Sequence, residues 1–266
     1  MRIARFSKDG QISFGVVEHD PAKGSSPDEL ASLTVAAVLR QDDGSLKPTG
    51  TSHALGDVRL LPPVLPSKIV AFGRNYAEHA AELGNEVPDV PVTFLKPSTS
   101  VVGPGDPVPY PSFSSEVHHE AELAVVIGRV CRDVPVERVP EVILGYTCAN
   151  DLTARDAQRA EKQWARAKGF DGACPLGPWI ENELDPADLA VTCTVNGEVR
   201  QSGRTSQMIR SVAEQIAFVS QAMTLLPGDV ILTGTPAGVG PVQVGDEVAV
   251  TIEGIGTLTN RMVKRD

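Results

Sequence analysis

Short apolar segments separated by Gly and Pro dominate the hydrophobic pattern of this chain. Residues 118–128 end in a β-branched apolar run that stops at Gly128, which predicts a strand entering a buried sheet. Residues 230–263 continue in short β-like segments, and Asn196-Gly197 is the strongest hairpin signal in the chain. The pattern therefore predicts a mainly β core with a few helices.

One long helix is predicted over residues 212–225. Its apolar positions recur at spacings of three and four, which places them in one stripe that packs on the sheet. Ser211 and Glu214 form a capping box at its start, and Pro227-Gly228 is its predicted end. The stripe indicates core packing and no chemistry.

Residues 1–66 form a separate predicted unit. They contain short β-like segments, a turn at Asp42-Asp43-Gly44 and a proline-rich end that suits an extended linker. Nothing in this stretch resembles a catalytic cluster. We therefore expect a small N-terminal β subdomain over residues 1–66 and a catalytic domain over residues 67–266.

Composition and charge narrow the choice of partners. Hydrophobic residues are 41% and charged residues 22% of the chain, an ordinary globular balance. With 24 Lys+Arg against 34 Asp+Glu, the net charge of -10 argues against nucleic acid or an anionic membrane as a partner. The cysteines are widely spaced without a C-x-x-C pair, and no apolar run is long enough to span a membrane. We expect a cytoplasmic protein that binds a small molecule.

Glu120 and Glu122 lie on the predicted strand 118–128. Because successive side chains of a strand alternate faces, both carboxylates share one side, roughly 6.5–7 Å apart at the backbone. Like charges this close repel each other, and a hard divalent cation between them is the best compensation. The pair therefore predicts half of a metal site. The alternative is two solvated carboxylates on an exposed strand face.

A second pair lies on a short predicted helix that follows strand 68–73 and ends at Gly84. On this helix His79 and Glu82 are three residues apart and face the same way, so the carboxylate can orient the imidazole and raise its basicity. Such a pair can activate water. A chance surface pair at this spacing is the alternative.

Further candidates follow the predicted strand 146–149. Asp151 lies at the turn from this strand into a helix, with Thr153 as the predicted N-cap. On that helix Arg155 and Gln158 share a face and offer a guanidinium group and an amide to an anionic ligand. A helix-capping Asp and a solvated Arg are the alternative.

Two stretches rich in small residues carry the last candidates. Residues 168–178 predict an irregular loop in which Lys168 is the only cation, and a merely solvated Lys is the alternative. In residues 233–240, backbone amides and the Thr235 hydroxyl can approach a ligand carboxylate closely.

Six ordered motifs run through residues 67–263. They are Gly73-Arg74-Asn75-Tyr76 with His79 and Glu82, Phe94-Leu95-Lys96-Pro97, His119-Glu120-Ala121-Glu122-Leu123, residues 151–158, Lys168-Gly169-Phe170-Asp171, and residues 234–240. Together they resemble the fumarylacetoacetate hydrolase family, in particular its acylpyruvase and oxaloacetate decarboxylase branch. They also resemble bacterial 2-hydroxyhepta-2,4-diene-1,7-dioate isomerases, which carry a short N-terminal segment like residues 1–66.

The resemblance implies a homodimer with a mixed β-sandwich roll. It implies Mg²⁺ or Mn²⁺, with Ca²⁺ as a further candidate, held by three carboxylates: Glu120, Glu122 and Asp151. Four residues match family positions that hold the carboxylate and oxo groups of the substrate: Arg155, Gln158, Lys168 and Thr235. His79 and Glu82 match a water-activating pair.

The function that the resemblance implies is a metal-dependent C–C bond hydrolase or decarboxylase. Its substrates would be small 2-oxo or 1,3-diketo acids of the acylpyruvate, fumarylpyruvate or oxaloacetate type. Lys168 would be a second positive group that stabilises an enolate, and His79 oriented by Glu82 would deprotonate water. The alternatives are a 2-hydroxyhepta-2,4-diene-1,7-dioate isomerase of aromatic-acid catabolism and, in another class, a non-catalytic metal-stabilised binding protein.

Overall fold

Strands make up most of the secondary structure of this protein. The structure, a computed structural model, describes residues 1–18, 33–40, 46–82, 84 and 86–265, so the turn predicted at Asp42-Asp43-Gly44 lies outside the described residues. The first ten strands are β1 (Arg2–Lys8), β2 (Gln11–Val17), β3 (Thr34–Arg40), β4 (Leu46–Ala54), β5 (Arg59–Leu61), β6 (Ile69–Gly73), β7 (Val92–Lys96), β8 (Val101–Val102), β9 (Pro107–Pro109) and β10 (Val117–His119). The next ten are β11 (Ala121–Ile127), β12 (Ile143–Asn150), β13 (Thr153–Ala154), β14 (Cys174–Glu181), β15 (Ala190–Val195), β16 (Glu198–Arg204), β17 (Val230–Leu232), β18 (Gly240–Val242), β19 (Glu247–Ile252) and β20 (Gly256–Val263).

Helices are few and mostly short in the described part of the chain. The α-helices are α1 (Ala77–Glu82), α2 (Arg155–Ala160), α3 (Ala165–Lys168) and α4 (Val212–Ala222). Short 3₁₀ helices lie at Leu55–Asp57, Ser98–Ser100, Val136–Val142 and Thr205–Gln207. None of the described helices is long and apolar enough to cross a membrane. The prediction of a mainly β fold with a few helices is confirmed.

The described residues form three sheets. The largest has twelve strands in the order β4-β3-β2-β1-β14-β12-β11-β17-β6-β7, with β5 paired to β1 and β8 paired to β14. A five-stranded sheet runs β16-β15-β19-β20-β9, and a three-stranded sheet runs β13-β10-β18. The N-terminal strands continue the main sheet, since β1 pairs with β14 through Arg2 opposite Glu181 and Ile3 opposite Ile180. The domain boundary at residue 66 stays a prediction.

The predicted strand 118–128 is divided between two sheets. β10 belongs to the three-stranded sheet and β11 to the twelve-stranded sheet, and Glu120 lies at the passage from one to the other. The backbone N–H of Glu120 donates to Asn150 Oδ1 at 3.0 Å, and its carbonyl accepts from Asp151 N at 2.8 Å. All seven residues of β11 are buried between β12 and β17, which explains its apolar composition.

The long helix α4 begins as predicted but ends earlier. Ser211 Oγ accepts from Glu214 N at 3.3 Å and Glu214 Oε2 accepts from Ser211 N at 2.8 Å, so the predicted capping box is confirmed. The helix ends at Ala222, three residues before the predicted end, because buried Leu225 exchanges two backbone hydrogen bonds with Cys131 instead of continuing the helix.

Two further sequence predictions are corrected around the short helices. Thr153 is not an N-cap: it pairs with His118 in the three-stranded sheet, its hydroxyl donates to the carbonyl of Asp151 at 2.9 Å, and α2 begins after Ala154. Lys168 does not lie in an irregular loop. It is the last residue of α3 and is buried, because its ammonium group has carboxylate partners.

The central strand generates a stability prediction. Leu123→Ala removes a fully buried side chain from β11 and should lower the free energy of unfolding by about 2–5 kcal/mol, since the cavity left behind relaxes only partly. Urea unfolding measures this loss. Val130→Ala is the control: its side chain is 65% exposed and the change should be within about 0.5 kcal/mol. Equal effects of the two changes would contradict the assignment of β11 as the core strand.

Candidate active site

Three buried carboxylates meet where β10, β11 and β12 end or begin. Oxygens of Glu120, Glu122 and Asp151 lie within 4.8 Å of one another, and each residue is at most 3% exposed. The antiparallel pairing of β11 with β12 sets Ala121 opposite Asn150, which brings Asp151 beside Glu120. The alternatives of solvated Glu side chains and a helix-capping Asp are therefore wrong for this structure.

Three buried cations balance the three carboxylates. Lys168 Nζ donates to Glu120 Oε2 at 2.7 Å and to Asp151 Oδ2 at 2.6 Å. Lys96 Nζ donates to Asp151 Oδ1 at 2.5 Å, and Arg155 Nη2 donates to Glu120 Oε1. The carboxylates and their partners therefore carry no net charge when all six groups are ionised.

The cations are not shared equally among the three carboxylates, and the pKa values of Glu120 and Glu122 shift in opposite directions as a result. Burial raises the pKa of Glu120, but the charges of Lys168 and Arg155 outweigh burial and hold that pKa well below its ordinary value. Burial together with the charges of Asp151 and Glu120 raises the pKa of Glu122 well above its ordinary value. Among the described residues no cationic group lies within 4.0 Å of Glu122, and its Oε2 accepts only the N–H of Gly234, at 2.7 Å.

These observations fit a divalent metal ion. Carboxylate oxygens are the ligands that hard cations such as Mg²⁺, Mn²⁺ and Ca²⁺ prefer. The ionised form of Glu122 has no buried cation to compensate it, and a cation between the three carboxylates would stabilise that form. The residues present therefore suit a metal, and the choice of ion is a separate question.

A cavity of about 370 Å³ opens onto this cluster. Every residue that the sequence predicted for the site lines this cavity except Glu82 and Asp151. Arg155 and Gln158 act together there, because Arg155 Nη1 donates to Gln158 Oε1 at 2.8 Å. Thr235 closes another side of the cavity from the segment after β17.

His79 lines the cavity from α1 and is only 6% exposed, so a chance surface pair is not what the structure shows. Its Nδ1 lies 3.5 Å from Glu82 Oε2, close enough for electrostatic orientation. The Glu82 carboxylate also accepts the N–H of Gly238 at 3.1 and 3.2 Å, which ties α1 to the segment that carries Thr235. Burial lowers the pKa of His79, so the imidazole is neutral and basic near pH 7.

Two buried residues of the site were not predicted from the sequence. Lys96 appeared only as part of a motif, yet it is 1% exposed and bonds Asp151. A signal existed, because Lys96 alternates in register with Val92 and Phe94 on one face of β7, where a solvated Lys is unexpected. Gln201 is fully buried and bonds Thr235, and no local pattern in β16 distinguishes it.

Comparison with known proteins places this chain in a family. Residues 68–263 match the model of the fumarylacetoacetate hydrolase C-terminal domain, and residues 1–63 match a domain described as Rv2993c-like, N-terminal. The chain belongs to the fumarylacetoacetate hydrolase family. The resemblance inferred from the six motifs is thus confirmed.

Three relatives show the range of this family. A solved 2-hydroxyhepta-2,4-diene-1,7-dioate isomerase from Mycobacterium marinum is 47% identical, with 100% of this chain and 99% of that chain covered and a TM-score of 0.91. The oxaloacetate tautomerase YcgM of Escherichia coli is 46% identical over 74% of this chain and 93% of the relative. A fumarylpyruvate hydrolase from Pseudomonas aeruginosa, solved with Mn²⁺ and pyruvate, is 34% identical, covers 78% of this chain and 92% of its own, and has a TM-score of 0.72.

The charge balance predicts a metal-linked change in stability. Lys168→Met leaves Glu120 and Asp151 short of one buried positive charge, which should cost roughly 3–5 kcal/mol of unfolding free energy in the presence of a chelator. Saturating Mn²⁺ should restore more stability in this variant than in the wild type, because the ion replaces the lost charge. Differential scanning calorimetry with and without Mn²⁺ measures both effects.

The matched control is Arg138→Met, which removes an exposed cation paired with Glu141 on the surface. This variant should unfold at the wild-type temperature and respond to Mn²⁺ as the wild type does. If Mn²⁺ stabilised Lys168→Met and the wild type equally, the buried charges would not be coupled to metal binding.

Proposed function

We propose that this chain is a divalent-metal-dependent enzyme that cleaves a C–C bond in small 2-oxo or 1,3-diketo acids by hydrolysis or decarboxylation. The observation that carries the proposal is one cavity in which Glu120 and Glu122 of the carboxylate cluster face His79, Arg155 and Lys168. The names of the relatives, a fumarylpyruvate hydrolase and an oxaloacetate tautomerase among them, support this substrate class.

We assign the metal site to the three carboxylates Glu120, Glu122 and Asp151, with Mg²⁺ or Mn²⁺ as the ion. When bound, the ion would supply Lewis-acid stabilisation of the negative charge that develops on the 2-oxo oxygen. The solved relative with Mn²⁺ and pyruvate supports this choice of ion. A non-catalytic binding protein is disfavoured, because a structural ion is usually enclosed by protein ligands, whereas this cluster opens onto a cavity of about 370 Å³.

Charge also explains the preference for an acid. The three carboxylates are already balanced by Lys96, Lys168 and Arg155, so a divalent cation would leave the site with an excess of positive charge. An anionic substrate removes that excess. Arg155 and Gln158 bind its carboxylate with the Thr235 hydroxyl, and Lys168 stabilises the enolate that remains when the C–C bond breaks.

Hydrolysis requires a base in addition. His79 lines the cavity, and its lowered pKa leaves the imidazole unprotonated near pH 7 and able to take a proton from water, while the Glu82 carboxylate at 3.5 Å orients the imidazole and favours its charged form. The activated water then attacks the distal carbonyl of the substrate. Decarboxylation leaves the same enolate without this water.

A second candidate is the isomerisation or tautomerisation of a related acid. It needs the enolate and proton transfer and no attacking water. The Mycobacterium marinum isomerase and the Escherichia coli tautomerase favour it by name, and both are more than 40% identical to this chain. The two candidates share the carboxylates, Arg155 and Lys168 and differ in their need for His79.

The family resemblance also leads us to propose a homodimer that works in the cytoplasm. Sedimentation velocity of the purified chain tests the first statement, and a mass of one subunit at micromolar concentration would contradict it. Cell fractionation tests the second.

Metal dependence is tested at Glu122. Glu122→Gln removes one carboxylate of the cluster and should lower both Mn²⁺ affinity and kcat/KM for acylpyruvates and oxaloacetate by about a hundredfold or more. Calorimetric titration of the metal-free protein measures the affinity without relying on turnover. Glu198→Gln on the exposed part of β16 is the control and should match the wild type. Unchanged turnover after a chelator has removed the metal would refute the proposed metal dependence.

The choice between reactions is tested at His79. His79→Ala should lower the hydrolysis of acylpyruvates by about 10²–10⁴-fold, because the base is lost, and leave the decarboxylation of oxaloacetate within about tenfold. A retained hydrolysis rate in His79→Ala would contradict the assignment of His79 as the base. A wild-type protein that isomerises or tautomerises its substrate without hydrolysing it would favour the second candidate.

The pH dependence of the wild type tests the same base. The value of kcat/KM for hydrolysis should rise with pH through the lowered pKa of His79 and level off, so its acid limb lies below pH 6.5.

A further inference from the structure

Gln201 connects the five-stranded sheet to the active-site cavity. It lies on β16, is fully buried, and reaches Thr235 and Pro236 in the segment after β17. On its other side it contacts His119 and Ala121, which flank Glu120. No sequence motif and no predicted site included this side chain.

The orientation of the Gln201 amide is fixed by its partners. The backbone N–H of Ala121 can only donate, and it points at Gln201 Oε1 at 2.9 Å. The carbonyl of Pro236 can only accept, and it lies 2.8 Å from Gln201 Nε2. The oxygen therefore faces β11, and the NH₂ group faces the segment that carries Thr235. His119 Nδ1, 3.0 Å from Oε1, must carry a hydrogen.

This orientation decides whether the Thr235 hydroxyl donates or accepts in its hydrogen bond with Gln201. Gln201 Nε2 lies 2.7 Å from Thr235 Oγ1 and cannot accept a hydrogen, so the hydroxyl oxygen is the acceptor. The hydroxyl has one hydrogen of its own, and no protein acceptor for it occurs among the described residues. Because Thr235 lines the cavity, this hydrogen is available to a ligand there.

We propose that Gln201 is a positioning residue that holds the Thr235 hydroxyl as a hydrogen-bond donor toward the substrate. This side of the cavity then offers a donor to a carboxylate or oxo oxygen and suits an ammonium group less well, because an ammonium group can only donate. The inference rests on the proposed function, since it takes the ligand to be a 2-oxo acid. It adds a residue 34 positions before Thr235 in the chain that acts through Thr235 without touching the substrate.

A double-mutant cycle with pyruvate as ligand separates positioning from mere packing. The variants are Gln201→Glu, Thr235→Val and both together, and the measurement is the Kd of pyruvate at saturating Mn²⁺ by calorimetry. In Gln201→Glu the carboxylate accepts the Thr235 hydrogen and turns it away from the cavity. We expect each single variant to bind pyruvate about ten- to a hundredfold more weakly, the usual effect of losing one hydrogen bond to an anion.

The double variant carries the decisive result. If Gln201 acts through Thr235, adding Gln201→Glu to Thr235→Val weakens binding by no more than about twofold. If the added carboxylate merely repels the ligand, Gln201→Glu weakens binding by the same factor in both backgrounds, and the proposal is overturned. Wild-type affinity in folded Gln201→Glu also overturns it.

Two measurements keep the test decisive. Gln243→Glu makes the same change at an exposed Gln that does not line the cavity, and it should keep the wild-type Kd within about twofold. Should Gln201→Glu not fold, Gln201→Met enters the same cycle. This variant removes the amide donor to Thr235 without adding charge. It should weaken pyruvate binding several-fold when Thr235 is present and leave the Kd of Thr235→Val unchanged.

The tautomer of His119 tests the assigned orientation of the Gln201 amide without any ligand. ¹⁵N NMR of the imidazole should show a hydrogen on Nδ1, and a bare Nδ1 would overturn the orientation of Gln201 and the proposal with it. A wild-type protein that binds no pyruvate with Mn²⁺ and turns over no 2-oxo acid would contradict the proposed function instead. In that case the imidazole spectrum still tests the orientation of the Gln201 amide by itself.

Discussion

The burial of three carboxylates at one point is the constraint on which the site depends. Removing such groups from water costs several kcal/mol each unless opposite charges and hydrogen bonds replace the solvent. The replacement comes from three separate elements, since Lys96 ends β7, Arg155 begins α2 and Lys168 ends α3. The charge balance therefore determines how these elements pack around β11 and β12. An element that moved away would leave a buried charge without a partner.

The buried cations equal the buried carboxylates in number, but they are not distributed evenly among them. Glu120 and Asp151 share the three cations, whereas Glu122 has one backbone N–H donor. Glu122 is thus the carboxyl group whose ionised form is least compensated, and a divalent cation would stabilise that form. A bound cation would leave the cluster positive as a whole, which under the proposed function favours an acid.

Local patterns in the sequence predicted those structural features that depend on residues close together in the chain. The capping box of Ser211 and Glu214 and the hairpin at Asn196-Gly197, whose residues have φ angles of 52° and 81°, are such features. Glu120 and Glu122 came from the alternation of a strand. The third carboxylate, Asp151, came from its place at a strand end and gained its role from the family resemblance.

Contacts between distant segments could not be predicted in this way. Lys96 bonds a residue 55 positions away and Gln201 one 80 positions away, so their neighbours in the sequence do not identify these partners. The division of strand 118–128 has the same cause, because Pro241 and Thr153 pair with His118 and draw β10 into a sheet of its own. No Gly or Pro interrupts the sequence across the break, so its periodicity could not mark Glu120 as the junction.

Under the proposed function, the choice of reaction depends on a different part of the molecule from the choice of substrate. The carboxylates and cations that suit an acid lie at or near strand ends and helix ends, and they would serve every reaction that passes through an enolate. In the same proposal His79 adds the capacity to activate water, and it lies on α1, a six-residue helix too short to be stable by itself. Tertiary contacts hold α1 in place, among them the bond from Gly238 N to Glu82 and the burial of Ala80. If the proposed roles hold, a small change in those contacts would alter the reaction while the proposed metal site and its preference for 2-oxo acids stayed the same.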